Sequence, residues 1–168
     1  MSDIHIAIVD DHTLFRKGLE ALLLEEGFQV IYSLGSAEEL FEQLSQGLPD
    51  LILMDLEMPG GMDGITATQR VKQEYPDLSV IVLTSHEDPQ FVARLMEVGA
   101  SAYLLKNEDV DEVDTAIHSV LETGFYFSDR VSKAMLGALT KKVKPKKASL
   151  EDHEELTDRE VEVLRGVC

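Results

Sequence analysis

"LILMDLEMPG", residues 51–60, decides how this chain folds. Leu51 to Met54 are four consecutive apolar residues, the pattern of a strand covered on both faces. The run then meets a carboxylate, Asp55, and breaks at Pro59-Gly60, a turn signal. An acid at the tip of so apolar a strand needs partners, and in a sheet these come from the tips of neighbouring strands.

Outward from this stretch, apolar runs alternate with helical patterns. "IHIAIVD" (4–10) precedes "HTLFRKGLEALLLEEG" (12–27), with Leu14, Gly18, Leu22 and Leu19, Leu23 at helical spacing and Gly27 as a stop. "FQVIYS" (28–33) is a second strand, followed by a helix from Ser36, an N-cap with Glu39 three residues on. After the third strand come a helix over 64–75, a strand "SVIVLTS" (79–85), and the helix of "PQFVARLMEVG". "SAYLLK" (101–106) is the fifth strand. The fifth helix presents Val110, Val113, Ile117, Val120 and Leu121 as its apolar face. Five βα units of this kind predict an α/β fold, a doubly wound parallel sheet with helices on both faces. Right-handed crossovers leave the flavodoxin-like order 2-1-3-4-5 as the preferred topology.

The division expected along the chain is an α/β body over 1–124 and a linker helix over 125–140, then a flexible linker over 141–155 and a helical segment over 156–168. "KKVKPKKAS" (141–149) has five lysines and no apolar period, the composition of a tether. Thr157 and Glu160 form a capping box, with Leu156 and Val161 as its hydrophobic staple.

The 168 residues carry a formal charge of −17, and it is unevenly spread. Residues 1–140 hold 25 acids against 8 Lys and Arg, whereas residues 141–168 hold 7 of each. The body should therefore repel nucleic acid phosphates. No signal peptide or membrane-length apolar run is visible, so a soluble cytoplasmic protein without a membrane partner is expected. One cysteine, Cys168, rules out an intrachain disulfide and a cysteine-based zinc site.

Parallel strands share a carboxyl edge, and ligands of such sheets bind just outside it. Strand 1 ends in Asp10-Asp11, strand 3 in Asp55, strand 4 in Thr84-Ser85 and strand 5 in Lys106. In the order 2-1-3-4-5, strands 1 and 3 are neighbours, so three carboxylates converge. Two bare carboxylates 4 Å apart repel by about 4 kcal/mol at an effective dielectric of 20. Lys106 alone cannot offset three of them. A hard divalent cation with oxygen ligands can, and Mg²⁺ also accepts a phosphoryl oxygen. Each residue by itself has a plainer reading: Asp11 as a helix N-cap, Thr84 as an ordinary strand residue, Lys106 as a solvated charge. Their conjunction favours a Mg²⁺ site open to a phosphoryl group. His5 and His12 show no partner pattern and receive no role.

The stretches "IVDDHTLFRKGLEALL", "LILMDLEMPGGMDG", "VLTSHED" and "GASAYLLKN" resemble the receiver domain of two-component response regulators over residues 4 to about 123. "DDHTLFRKGL" with "LTDREVEVL" resembles the LuxR/NarL-type subclass, which carries a C-terminal helix-turn-helix. The resemblance implies that Asp55 accepts a phosphoryl group from a sensor histidine kinase. It implies that Asp11, Asp55 and the main-chain carbonyl of Glu57 ligate Mg²⁺, with Asp10 acting mainly through water. Lys106 would pair with phosphoryl oxygens, and Thr84 would donate its hydroxyl to them. Tyr103 would be the switch aromatic, turning inward as Thr84 moves. Glu57 and His86 would border the site and tune how long the phosphate survives. Phosphorylation would drive homodimerisation. Promoter DNA would be bound only through a C-terminal domain of which residues 156–168 resemble the first helix. Such a protein is not an enzyme with a separate substrate, although it assists its own phosphorylation and dephosphorylation.

Two departures from the family pattern stand out. "MPGGMDG" has one glycine more than the commoner form, so the loop after Asp55 is expected to bulge. Asn107 follows Lys106 where many receivers have proline, so a cis bond there would cost about 3 kcal/mol, and the isomer is left open. Two other readings compete. A haloacid-dehalogenase-like phosphatase also uses a strand-end aspartate and Mg²⁺, but needs an aspartate where this chain has Glu57. A binding module that no longer becomes phosphorylated would not need the reactive groups kept here.

Overall fold

The structure, a computed structural model, describes residues 3–86, 88–133, 135–137 and 140. Ten elements alternate along it: β1 (His5–Val9), α1 (Thr13–Glu25), β2 (Gln29–Leu34), α2 (Ala37–Leu44), β3 (Leu51–Asp55), α3 (Gly64–Glu74), β4 (Ser79–Thr84), α4 (Pro89–Glu97), β5 (Ala102–Leu105) and α5 (Val110–Thr123). The strands form one parallel sheet in the order β2-β1-β3-β4-β5. This is the flavodoxin-like arrangement expected of five βα units.

Successive residues of each strand face opposite sides of the sheet, and the core divides accordingly. Ile6, Ile8, Leu51, Leu53, Ile81, Leu83 and Leu104 meet Leu19 and Leu23 of α1 and Val113 and Ile117 of α5. Val9, Ile52, Met54, Val80, Val82 and Leu105 meet α2, α3 and α4 through Leu40, Val71 and Leu95. All five residues of β3 are buried, as a central strand covered on both faces requires. A Leu53→Ala change in such a layer costs about 2–5 kcal/mol.

Helix starts follow the capping rule. The Ser36 hydroxyl accepts the Glu39 amide at 3.2 Å, as the sequence predicts, and Asp63, Asp88 and Asp109 cap α3, α4 and α5 in the same way. Helix α1 differs: its N-cap is His12, which makes no side-chain cap bond, so Asp11 is not the cap its position suggests. The stripe α1 buries also corrects one expectation. Leu19 and Leu23 are buried, while Leu14 is 88% exposed and Leu22 is also exposed. Residues one position earlier on the helix lie about 100° around it, which turns Leu14, Gly18 and Leu22 away from the sheet. Leu121 of α5 is likewise exposed.

Beyond α5, the chain turns back onto the sheet. Tyr126 bridges to Ala102 of β5, and Val131 is buried against the α2–α4 side. Residues 129–133 and 135–137 are helical, within the expected linker helix. The linker and helix expected over 141–155 and 156–168 lie outside the described residues. No helix among the described residues is long and apolar enough to cross a membrane.

Candidate functional site

Register brings the functional groups to one edge. Val9 pairs with Met54, Asp55 with Leu83, and Thr84 with Leu105. Asp10 and Lys106 each follow a paired residue by one position, and backbone bonds hold both: Asp10 N donates to Leu34 O at 2.9 Å, and Lys106 N to Thr84 O at 2.7 Å.

Alternation then sorts these residues by face. Asp55 has the parity of Leu51 and Leu53, Asp10 that of Ile6 and Ile8, and Lys106 that of Leu104, all on the α1/α5 side. Thr84 has the parity of Val80 and Val82, on the α2–α4 side, where Tyr103 also lies. One sheet edge therefore carries two different groups of side chains.

On the first side the contacts are ionic. Lys106 Nζ lies 2.9 Å from Asp10 Oδ2 and 3.2 Å from Asp55 Oδ1, and 4.7 Å above the Phe15 ring. Asp10 and Asp55 are buried, at 1% and 3% exposure, while Asp11 stands at the rim. Arg16 fixes the β1–α1 turn: its guanidinium donates to the Asp10 carbonyl at 2.5 Å and to the Ser33 hydroxyl at 3.1 Å. Burial is the largest influence on Asp55 and, reinforced by the Asp10 charge, outweighs the attraction of Lys106. The Asp55 carboxyl is pushed up to about 6. Its Oδ2 is buried without a hydrogen-bond partner.

His12 is the residue that sequence reasoning missed. Its Nδ1 lies 3.3 Å from Asp10 Oδ1, 3.5 Å from Asp11 Oδ1 and 4.0 Å from Asp55 Oδ2. One ligand atom each from Asp10, Asp11, His12 and Asp55 fall within 4.8 Å of one another. The sequence offered one signal, that His12 directly follows the acid pair. His5, by contrast, faces Asp50 at 3.5 Å, far along the strand from this edge.

On the second side the contacts form a hydrogen-bond relay. The His86 amide donates to the Thr84 hydroxyl at 3.1 Å, and the Tyr103 hydroxyl donates to the His86 carbonyl. Thr84 and Tyr103 are thus joined through a single residue. Tyr103 is 2% exposed, so it already stands inward in this structure. The His86 ring reaches Glu57 at 2.7 Å, linking the β4–α4 loop to the β3–α3 loop. The Glu57 amide donates to Asp55 Oδ1 at 3.4 Å.

The enlarged loop after Asp55 has a local explanation. Gly60 adopts φ +90°, which turns the chain at no steric cost. Glu38 of α2 accepts the Met62 amide at 3.0 Å and packs beside Gly61, anchoring the extra residue. Gly64 opens α3 directly beneath the strand tip: a Cβ there would sit 2.3 Å from the Asp55 carbonyl. A glycine is needed for that approach. The Lys106-Asn107 bond is trans, since the described residues contain no cis peptide.

Such a sheet, with acids and one lysine converging at its carboxyl edge, defines an α/β domain built around a strand-end aspartate. The comparisons specify which. Residues 6–118 match the response regulator receiver domain, and the chain belongs to that family. It is 38% identical over 134 residues to the transcriptional regulatory protein DegU of Brevibacillus brevis, covering 79% of this chain and 56% of that protein. It is 27% identical to the oxygen regulatory protein NreC of Staphylococcus carnosus, covering 95% of this chain and 74% of that one. A LuxR-family response regulator from Aurantimonas sp. SI85-9A1 superposes with a TM-score of 0.76 at 28% identity, over 83% of this chain and 99% of that chain. The chain spans little more than half the length of the DegU relative.

Proposed function

We propose that Asp55 is the phosphoacceptor of a two-component phosphorelay, charged by a sensor histidine kinase. The observation that carries the proposal is the buried Asp55 Oδ2, which has no hydrogen-bond partner while Lys106 holds the other oxygen. A carboxylate so held is presented as a nucleophile. Asp55 Oδ2 attacks the phosphorus of the kinase phosphohistidine, a P–O bond forms, and the P–N bond breaks. The electron pair of that bond stays with the histidine nitrogen. Phosphoryl transfer depends mainly on alignment and charge neutralisation. β3 supplies the alignment, and Lys106 supplies one positive charge to the transferred oxygens.

Asp10, Asp11 and Asp55 suit a Mg²⁺ ion, since hard oxygen donors cluster there around an orphaned carboxylate oxygen. Bound there, the ion would neutralise the remaining acid charge and take a phosphoryl oxygen. Glu57 would join through its main-chain carbonyl.

The phosphoryl group adds about −1.5 to −2 charges. Thr84, at the tip of the neighbouring strand, would donate its hydroxyl to that group, and the shared bonds to the His86 peptide would carry its movement to Tyr103. Because Tyr103 is inward here, the group would hold that inward state and so bias the surface used for homodimerisation. A shift from 1:99 to 99:1 needs about 5.5 kcal/mol of preference. Control of promoter DNA then passes to a C-terminal helical domain of the kind residues 156–168 resemble. Glu57 in place of a second aspartate, together with the family match, favours this reading over the phosphatase.

Intact mass after incubation with a small phosphodonor and Mg²⁺ tests the proposal. The wild-type chain should gain one phosphoryl group and Asp55→Asn none. Equal gain by both would refute it.

A further inference from the structure

We infer that His12 is a ligand of the cation pocket and gives it a preference for divalent ions that accept nitrogen over Mg²⁺. The inference rests on the reading of the acids as a cation site and adds to that reading a fourth donor of a different chemical kind.

The argument starts from how the oxygens are divided. Lys106 takes Asp10 Oδ2 and Asp55 Oδ1. The opposite oxygens of the same two carboxylates, Asp10 Oδ1 and Asp55 Oδ2, face His12 Nδ1 with Asp11 Oδ1 beside them. The two carboxylates thus turn one oxygen each to the ammonium and the other to the imidazole, and the two nitrogens themselves lie 3.4 Å apart. On the imidazole side lies the one oxygen of Asp55 that is buried and without a partner.

The spacings on that side suit a metal. Bonds of about 2.1 Å in an octahedral arrangement put adjacent donors roughly 3.0 Å apart and opposite donors roughly 4.2 Å apart. His12 Nδ1 is 3.3 and 3.5 Å from the oxygens of Asp10 and Asp11, close to the adjacent value, and 4.0 Å from that of Asp55, close to the opposite one.

His12 Nδ1 also lies 3.4 Å from Lys106 Nζ, so an ion bound there would take over a nitrogen that the ammonium now faces. His12 is the N-cap of α1 yet gives that helix no side-chain bond. Its amide is held by Asp10 Oδ1 at 2.8 Å, which fixes the backbone and leaves the ring to lean over the acids. Half or more of the side chain is open to solvent, giving an ion a way in. Imidazole binds later first-row divalent ions more strongly than it binds Mg²⁺, whose preference is for oxygen.

The test uses the untagged chain, with His12→Ala and with His12→Asn, which keeps a polar side chain at the N-cap but no imidazole. Pulsed EPR of bound Mn²⁺ reports a nitrogen ligand directly, and calorimetry gives the affinities for Co²⁺ and Mg²⁺. The wild type should show nitrogen coupling and both variants should lose it. Co²⁺ affinity should fall about tenfold or more in the variants while Mg²⁺ affinity changes less than threefold, a loss at least as large as that for groups that merely orient a ligand. Coupling that is absent from the wild type or survives in either variant overturns the inference, as do equal losses for the two ions. Oxygen-only binding would leave the cation site standing without His12. A wild-type chain that binds none of the three ions would sink the site and the inference together.

Discussion

The two faces of the sheet meet at one edge but carry different work. On the α1/α5 side, Asp10, Asp55 and Lys106 are held by charge, and their arrangement suits chemistry. On the α2–α4 side, Thr84, His86 and Tyr103 are joined by hydrogen bonds, and theirs suits transmission. The division comes from pleat parity: Asp55 and Thr84 reach the same edge from neighbouring strands, but the register offsets them by one residue. On the proposed reading, the group that takes the phosphate and the group that reports it are separated at almost no distance.

Removing the ammonium breaks the chemical side hardest. Lys106→Met should slow phosphoryl uptake from a small phosphodonor by about two orders of magnitude, in the range for loss of one charge-stabilising donor. Mass spectrometry over time measures it. A rate unchanged within twofold would remove Lys106 from the mechanism.

Stability separates the two sides next. Burial, reinforced by the Asp10 charge, pushes the Asp55 carboxyl up to about 6 from its ordinary value of 3.8. The folded state therefore binds more protons than the unfolded one between those values, and stability falls as pH rises through that window. Asp55→Asn should accordingly stabilise the chain at pH 7, by up to about 3 kcal/mol, with the gain shrinking as pH falls through 6. Denaturant titration at pH 7 and pH 5 checks it. A gain that grows towards pH 5 would reverse the assignment.

Thr84→Ala tests whether transmission is separable from chemistry. Phosphoryl uptake should remain within a few-fold, while phosphorylation-driven dimerisation, followed by sedimentation, should weaken about tenfold. Unchanged dimerisation would disconnect the relay. The smallest effect belongs to the bridge between the loops. Glu57→Asn breaks the contact with His86 and admits water, so the aspartyl phosphate should decay faster by less than tenfold, because an exposed pair of this kind contributes about 1 kcal/mol at most. A decay rate identical to wild type would make the pair incidental.

Much of this was legible beforehand, for identifiable reasons. Continuous apolar runs such as Leu51–Met54 report burial on both faces, and only a covered parallel sheet satisfies five of them. Strand-end residues are legible because the carboxyl edge is common to all parallel strands. Helix facing was less so. Leu14, Leu22 and Leu19 all fit a helical period, and which stripe is buried depends on the angle at which α1 lies against β1 and β3. His12 was illegible for a related reason, since nothing local tells whether the ring after Asp10-Asp11 leans over the acids or away.

The amino-acid order alone determined the five βα units, their parallel sheet, the convergence of Asp10, Asp11, Asp55, Thr84 and Lys106, and the family. Those follow from one-dimensional signals: periodicity, caps, glycines and the residue at each strand tip. Only the tertiary structure decided which oxygens face Lys106 and which face His12, that Thr84 and Tyr103 share the His86 peptide, and that α1 turns Leu14 outward. These depend on register between strands and on side-chain directions, fixed by packing between residues distant in sequence.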